Sequence, residues 1–149
     1  MHIIQVETDK EKYLPLLLLG DEQLSLILGY LERGDLFVLE RNGDAAGVCV
    51  VTKEAPGEYE LQNIAVHPSL RREGVGRTLV KFVWDHYPDL RLLRLGTGDS
   101  PSTVGFYQAL GFREVGRDRD YFLRAYDHPI FEDGKQLKDR VHFQKAAAR

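Results

Sequence analysis

The chain has 149 residues, 43% of them hydrophobic and 29% charged, the balance of one globular domain and not of a disordered or fibrous polypeptide. Twenty basic against 23 acidic side chains leave a net charge of -3, so general affinity for nucleic acid, which needs a cationic excess, is not expected. No apolar run approaches the length of a bilayer span, and the first residues lack a basic segment leading into a long apolar block. The single cysteine, Cys49, can form neither an internal disulfide nor a cysteine-rich metal cluster, and no spacing of His, Asp and Glu suggests a metal site. These features predict a cytoplasmic protein of one domain, residues 1–149, with no metal, membrane or nucleic-acid partner.

In chain order, residues 2–7 read as a strand. Thr8-Asp9-Lys10-Glu11 has the form of a capping box opening a helix, which Pro15 must break or kink. A second helix is predicted over 22–33, with Leu24, Ile27, Leu28 and Leu31 on one face and Gly34 as a left-handed stop. The runs 36–40 and 45–52 flank Arg41-Asn42-Gly43-Asp44, a hairpin signal. Residues 53–57 make a further turn before a strand over 58–66 that Pro68 ends. A helix over 75–87 would bury Leu79, Val80, Val83, Trp84 and Tyr87, and a short strand follows at 90–95. Ser100-Pro101 is a cap followed by a first-turn proline, opening a helix to about 110 with Gly111 as its stop. Residues 112–116 and 141–145 are the last strands, and Ala146-Ala147-Ala148 is expected to fray. The order β-α-α-β-β-β-α-β-α-β-β predicts an α/β (α+β) domain, a mixed sheet covered by helices.

Arg71-Arg72-Glu73-Gly74-Val75-Gly76 falls between the strand over 58–66 and the helix over 75–87. Such a joint turns several backbone N–H groups one way, with the positive end of the helix dipole behind them. Glycine at 74 and 76 lets an oxygen approach the main chain, so the segment can hold a diphosphate with amides alone. No Gly-Lys-Ser/Thr follows, which disfavours nucleotide hydrolysis, and the third glycine of a dinucleotide fingerprint is missing.

Leu61-Gln62-Asn63-Ile64-Ala65-Val66-His67-Pro68 runs into Arg71-x-x-Gly74-x-Gly76, and Gly105-Phe106-Tyr107-Gln108-Ala109-Leu110-Gly111-Phe112 follows some thirty residues on. In this order and spacing the blocks resemble the GNAT superfamily of acetyl-CoA-dependent N-acetyltransferases over about residues 36–115. Residues 126–134 further resemble a tail found in a bacterial subgroup of that superfamily. The resemblance implies the single-domain GNAT fold, a mostly antiparallel sheet of about seven strands with about four helices, and acetyl-CoA as co-substrate. It implies that the amides of Arg71, Arg72, Glu73, Gly74, Val75 and Gly76 cradle the pyrophosphate. The backbone of Ile64, Ala65 and Val66 would run beside the pantetheine arm, with the N–H near Ile64 polarising the acetyl carbonyl.

Amide formation from an amine and a thioester needs two proton movements. An alkylammonium, with a pKa of about 10.4, must lose a proton, and the departing thiolate gains one. Tyr107 matches the tyrosine that family members place beside the coenzyme sulfur, which implies an acid role; the alternative is a core aromatic sharing a helix face with Val104 and Leu110. Glu60 stands at the spacing where some members carry a glutamate base. Period two would place it with Gln62, Ile64 and Val66 on one face unless a bulge intervenes, and the alternative is a solvated charge.

Ser100 replaces the asparagine of many relatives, as a helix cap or a coenzyme contact. Arg72, Arg77 and Arg94 could meet the adenosine phosphate or simply be solvated. His67 serves the turn, His128 is a candidate at the acceptor site, and Cys49 packs in the core. The segment 117–138 holds Tyr121, Phe122, Tyr126 and Phe131 among five acids. It would border a cationic acceptor together with the helix over 22–33; a structural cover or homodimer contact is the other reading. The expected activity is acetyl transfer to a primary amine of a small molecule or peptide by direct attack. A non-catalytic acyl-CoA sensor on the same fold is the alternative.

Overall fold

A computed structural model describes residues 2–148, and their contacts divide the chain into two compact units, 1–90 and 91–149. In the first unit, strands β1 (His2–Val6), β2 (Asp35–Arg41), β3 (Asp44–Ala55) and β4 (Glu58–Val66) pair antiparallel in that order. Helices α1 (Leu14–Gly20) and α2 (Leu24–Leu31) join β1 to β2, and α3 (Val75–His86) follows β4. The β2–β3 hairpin turns through Asn42 and Gly43 at φ +54° and +83°, the mirror-image turn that Asn-Gly specifies. Leu17, Ile27, Tyr30 and Leu31 from the helices pack with Leu36, Val38, Val48, Val50 and Ala65 from the strands.

The second unit holds β5 (Leu92–Gly98), α4 (Pro101–Ala109), β6 (Arg113–Asp118), α5 (Tyr121–Ala125) and β9 (Arg140–Ala146). Between α5 and β9 lies a two-residue hairpin, β7 (Phe131–Glu132) and β8 (Lys135–Gln136). Strand β9 pairs antiparallel with β5 on one side and β6 on the other. Leu93, Leu95, Tyr107, Phe112, Val141 and Phe143 are buried. Apart from the two-residue strands β7 and β8, four strands in one unit and three in the other match the strand number expected, and both units mix helix with strand as the order of elements requires.

Several local expectations change. The Thr8–Glu11 box does not form: Asp9 adopts φ +54°, makes no side-chain cap, and leads into a short 3-10 turn, Lys10–Tyr13. Helix α1 starts afterwards with Pro15 in its first turn, where a missing N–H does no harm, so the proline opens a helix instead of breaking one. In α2 the buried side chains are Ile27, Tyr30 and Leu31, whereas Leu24 and Leu28 are exposed. Gly34 is not a left-handed stop; a Cβ there would lie 2.6 Å from Val50 Cγ1. The end of α2 is capped by Lys10, whose Nζ donates to the carbonyls of Leu31 (3.0 Å), Glu32 (3.3 Å) and Gly34 (2.7 Å). The C-terminal alanines do not all fray, since Ala146 ends β9 and Ala147 N donates to Arg91 O at 2.8 Å. Finally, the connection 117–138 is partly regular, with α5 as a fifth helix and its own hairpin.

Candidate functional site

Strand β4 contains the first device. Val50 pairs with Asn63 while Val51 pairs with Leu61, leaving Gln62 as an extra residue in the ladder. Its side-chain amide donates to Thr52 Oγ1 at 3.0 Å. The bulge changes which way the strand's side chains face. Asn63 and Ala65 lie opposite Val50 and Val48, on the side packed by α1 and α2, whereas Ile64 and Val66 lie opposite Cys49 and Gly47. Glu60 pairs with Thr52, two residues from Val50, and therefore shares the α1–α2 side. The expectation that Glu60, Gln62, Ile64 and Val66 share one face is thus corrected: the inserted residue puts Glu60 opposite to Ile64 and Val66.

Asn63 is buried and fastens this side. Its Nδ2 donates to Leu17 O and to Tyr30 Oη, both at 3.0 Å, and the Tyr30 hydroxyl lies 3.3 Å from Asp21 Oδ2. The middle of α1 and the last turn of α2 are thereby pinned to the strand just beyond the bulge.

After β4, His67 N donates to Ala46 O at 2.8 Å. Ala46 is itself the extra residue of a bulge in β3, because Leu39 pairs with Gly47 and Glu40 with Ala45. His67 Nδ1 accepts from Ser69 N at 3.2 Å, shaping the 3-10 turn Pro68–Leu70, which is the turn role expected for this histidine. Arg71 is extended, Arg72 turns to φ +66°, and Gly74 to φ +82° as the residue capping α3. Left-handed residues at 72 and 74 around Glu73 are an alternation of the kind that can turn consecutive N–H groups toward one anion. Gly74 makes no side-chain cap to the helix. Only one of the two glycines bends the loop: Gly76 lies inside α3, and the second left-handed position is Arg72.

Residues 71–74 are exposed, while Val75 is buried as the anchor of the first helical turn. That turn sits low on the sheet because residue 47 is glycine; a Cβ there would meet Val75 Cγ1 at 2.7 Å and Leu79 Cδ1 at 3.1 Å. Arg77 follows on the exposed side of α3. Nearby, an open cleft of about 470 Å³ is bordered by Tyr13, Leu16 and Leu19, by Glu40 and Asp44 of the hairpin, and by His67.

In the second unit, Ser100 is fully buried and caps α4, its Oγ accepting from Thr103 N at 3.4 Å. The same hydroxyl donates to Glu132 Oε1, which Thr103 Oγ1 also reaches at 2.5 Å; Ser102 Oγ donates to Asp133 Oδ2 at 2.5 Å. The β7–β8 hairpin is therefore strapped by its carboxylates to the N-terminus of α4, where negative charge is favoured. In the sequence Glu132 is one of the acids of a long connection, and nothing in the local pattern marks it as a cap partner. Tyr107, two turns along α4, is 4% exposed and packs against Phe106, Phe112 and Phe143, with ring centroids 5.0, 5.6 and 5.9 Å away. The core-aromatic environment considered from the sequence is present.

Elsewhere in the second unit, Tyr121, Phe122 and Tyr126 cluster, with Phe122 and Tyr126 stacked at 5.5 Å. The Arg140 guanidinium lies 5.2 Å from the Tyr121 ring, and His128 Nδ1 is 2.6 Å from Asp127 Oδ1. Arg94 stands in β5. Cys49 is buried, and burial pushes its thiol far up, which makes it a poor nucleophile. No group of three or more potential metal ligands occurs among the described residues, and no helix among them is long and apolar enough to cross a membrane.

Residues 32–114, which include the β4–loop–α3 joint, match the family description "Acetyltransferase (GNAT) domain". The chain is 40% identical to the uncharacterized N-acetyltransferase YvbK of Bacillus subtilis, over 91% of this chain and 88% of that one. A Bacillus subtilis acetyltransferase crystallised in complex with CoA superposes with a TM-score of 0.88 at 35% identity, covering 99% of each chain. A GNAT acetyltransferase of Elizabethkingia anophelis with acetyl-CoA bound gives a TM-score of 0.90 at 28% identity, over 98% of this chain and 97% of that one. Fold, loop and sequence agree: the chain belongs to the GNAT acetyltransferase family, whose co-substrate is acetyl-CoA.

Proposed function

We propose that this acetyltransferase, acting in the cytoplasm as one catalytic domain over 1–149, moves acetyl from acetyl-CoA to a primary amine of a small molecule or peptide by direct attack. The observation that carries the reading is the joint after β4. Exposed residues alternate through left-handed dihedrals at Arg72 and Gly74 and open into the N-terminus of a helix that has no side-chain cap of its own. Amides of Arg71 to Gly76 would hold the coenzyme diphosphate there, with the helix dipole behind them. Arg72 and Arg77 stand at hand for further phosphate charge, and Arg94 is a third candidate. The main chain of Ile64, Ala65 and Val66, just past the Gln62 bulge, would accompany the pantetheine arm. The N–H near Ile64 would polarise the thioester carbonyl.

In the reaction the amine lone pair attacks the carbonyl carbon, the C–S bond breaks, and the thiolate leaves with its electron pair. Glu60, on the α1–α2 side of β4, would relay the proton lost by the ammonium, and Tyr107 would protonate the sulfur. Ser100 would set the first turn of the helix that carries Tyr107. The acids, aromatic cluster and His128 of 117–138 would face a cationic acceptor. Deleting the hairpin would then alter acceptor preference while sparing coenzyme affinity; equal loss of both would argue for a structural cover or a homodimer contact.

The burial of Tyr107 among three aromatic rings favours a second reading, a non-catalytic acyl-CoA sensor, because a core aromatic need not be an acid. Thiol release from acetyl-CoA across polyamines, aminoglycosides, amino acids and peptide N-termini separates the two. Turnover with any acceptor supports the enzyme, and tight coenzyme binding with no turnover on any of them supports the sensor.

A further inference from the structure

The loop given to the diphosphate under the proposed reading, on which this inference rests, carries a carboxylate at its centre. Glu73 stands between the left-handed residues Arg72 and Gly74, where its charge would oppose an arriving phosphate. That charge is met from the far end of the β2–β3 hairpin: Arg41 Nη1 lies 2.8 Å from Glu73 Oε1. The hairpin end is brought here by a second, main-chain tie. One step past the Gly47–Val66 pair, His67 N donates at 2.8 Å to the carbonyl of Ala46, the extra residue of the β3 bulge. The same hairpin end is thus joined to the β4–α3 joint twice, once through the backbone and once through an ion pair.

The two side chains are 39% and 45% exposed. A pair so well solvated adds little to folding stability, so its consequence lies in the field over the loop. Over the few ångströms between a loop carboxylate and a phosphate seated on neighbouring amides, salt screens only partly, because the Debye length is about 10 Å at 0.1 M.

We propose that Arg41 is a positioning residue of the coenzyme site. It acts through Glu73, cancelling that carboxylate's charge and holding it aside, so that the amides of 71–76 present a neutral cradle to the diphosphate. Arg41 thus stands outside the loop, on a different hairpin, and sets coenzyme affinity without touching the coenzyme.

The test is calorimetric titration of coenzyme A into the full chain at low salt, with Arg41→Ala, Arg41→Lys, Glu73→Gln and the double variant R41A/E73Q. Thermal melting confirms that each is folded. R41A should weaken binding about fivefold and R41K should restore most of it, as expected for a charge effect partly screened by solvent. E73Q should bind a few-fold tighter than the unaltered protein, because the opposing charge is removed while Arg41 remains; weaker binding would overturn the inference. The double variant should return to within about twofold of the unaltered affinity, because the charge that Arg41 opposes is gone. R41A binding like the unaltered protein would overturn the inference. So would a double variant as weak as R41A alone, since Arg41 would then be meeting the phosphates directly. No binding by the unaltered, folded chain would overturn the coenzyme reading of the loop itself, a different and earlier failure.

Discussion

Gly74 is constrained by its backbone and not by its neighbours. No atom lies within 4 Å of where its Cβ would stand, yet its φ is +82°. Gly74→Val would therefore leave the packing intact while forcing a β-branched residue into a left-handed dihedral, at a cost of about 1–2 kcal/mol. It would also put a methyl-bearing carbon over the amides. Coenzyme affinity should fall at least about tenfold, with a small loss in melting temperature; titration calorimetry beside a thermal melt reads both. Tyr107→Phe keeps the ring that packs on Phe112 and Phe143. If the hydroxyl protonates the departing sulfur, kcat should drop about 10²-fold with coenzyme affinity nearly unchanged, and steady-state kinetics beside calorimetry would show the split. Gly74 was legible in the sequence because a glycine between a strand and a helix has few other uses. Arg72 was not, because its left-handed dihedral is imposed by the chain around it and arginine has no preference for it. The face of Glu60 hung on whether the strand carried a bulge, and a one-residue insertion at Gln62 leaves no mark on an alternating pattern.

At the scale of elements, local signals were reliable where one residue type has one physical use, as at Asn42-Gly43 and Ser100-Pro101. They failed where a distant side chain takes over. Helix α2 stops because Lys10, 21 residues from Leu31 and 24 from Gly34, brings an ammonium to its last carbonyls. Lys10→Met would keep the stem and lose those charge-assisted bonds. Stability should drop by about 1.5–3 kcal/mol, measured as a lower urea midpoint at unchanged slope. Asp99 closes the corner before α4. Burial works to raise its pKa, but bonds from the amides of Lys138 and Asp139 and the nearby Lys135 charge outweigh it and hold the carboxyl below the ordinary value. Its folded pKa is depressed, so its contribution is present at neutral pH and is lost as pH falls through about 4 and below. Asp99→Asn should therefore be less stable than the unaltered chain at pH 7, and the gap should narrow in acid, as denaturant titrations at pH 7, 5 and 3.5 would record.

Across the molecule, the order of strands and helices from 2 to 116 was legible because most breaks are written in glycine, proline or a cap, the start of α1 and the end of α2 excepted. The stretch from 117 to 138 was not, since α5 has five residues and β7 and β8 two each, too short for any periodicity. What orders it is remote: Phe122 N donates to Lys138 O at 2.9 Å, and Glu132 and Asp133 reach hydroxyls about thirty residues away. Cys49 bears on the chemistry as a whole. The thiol is buried in β3 and shifted upward by that burial, which leaves it poorly placed to carry acetyl. Initial-rate patterns should be sequential and not ping-pong, and a thiol reagent should modify the native protein only as fast as it opens.

Strand β6 is bare on nearly all of both sides, from Arg113 to Arg117, and is bent by an extra residue at Val115. Its side chains are charged or isolated, and the kink spoils the straight row of amides that another chain would need as a template. Concentrated stocks should accordingly remain clear of fibrils. Descendants of this gene have room to repaint that outer rail at Arg113 and Val115, where burial constrains neither side chain.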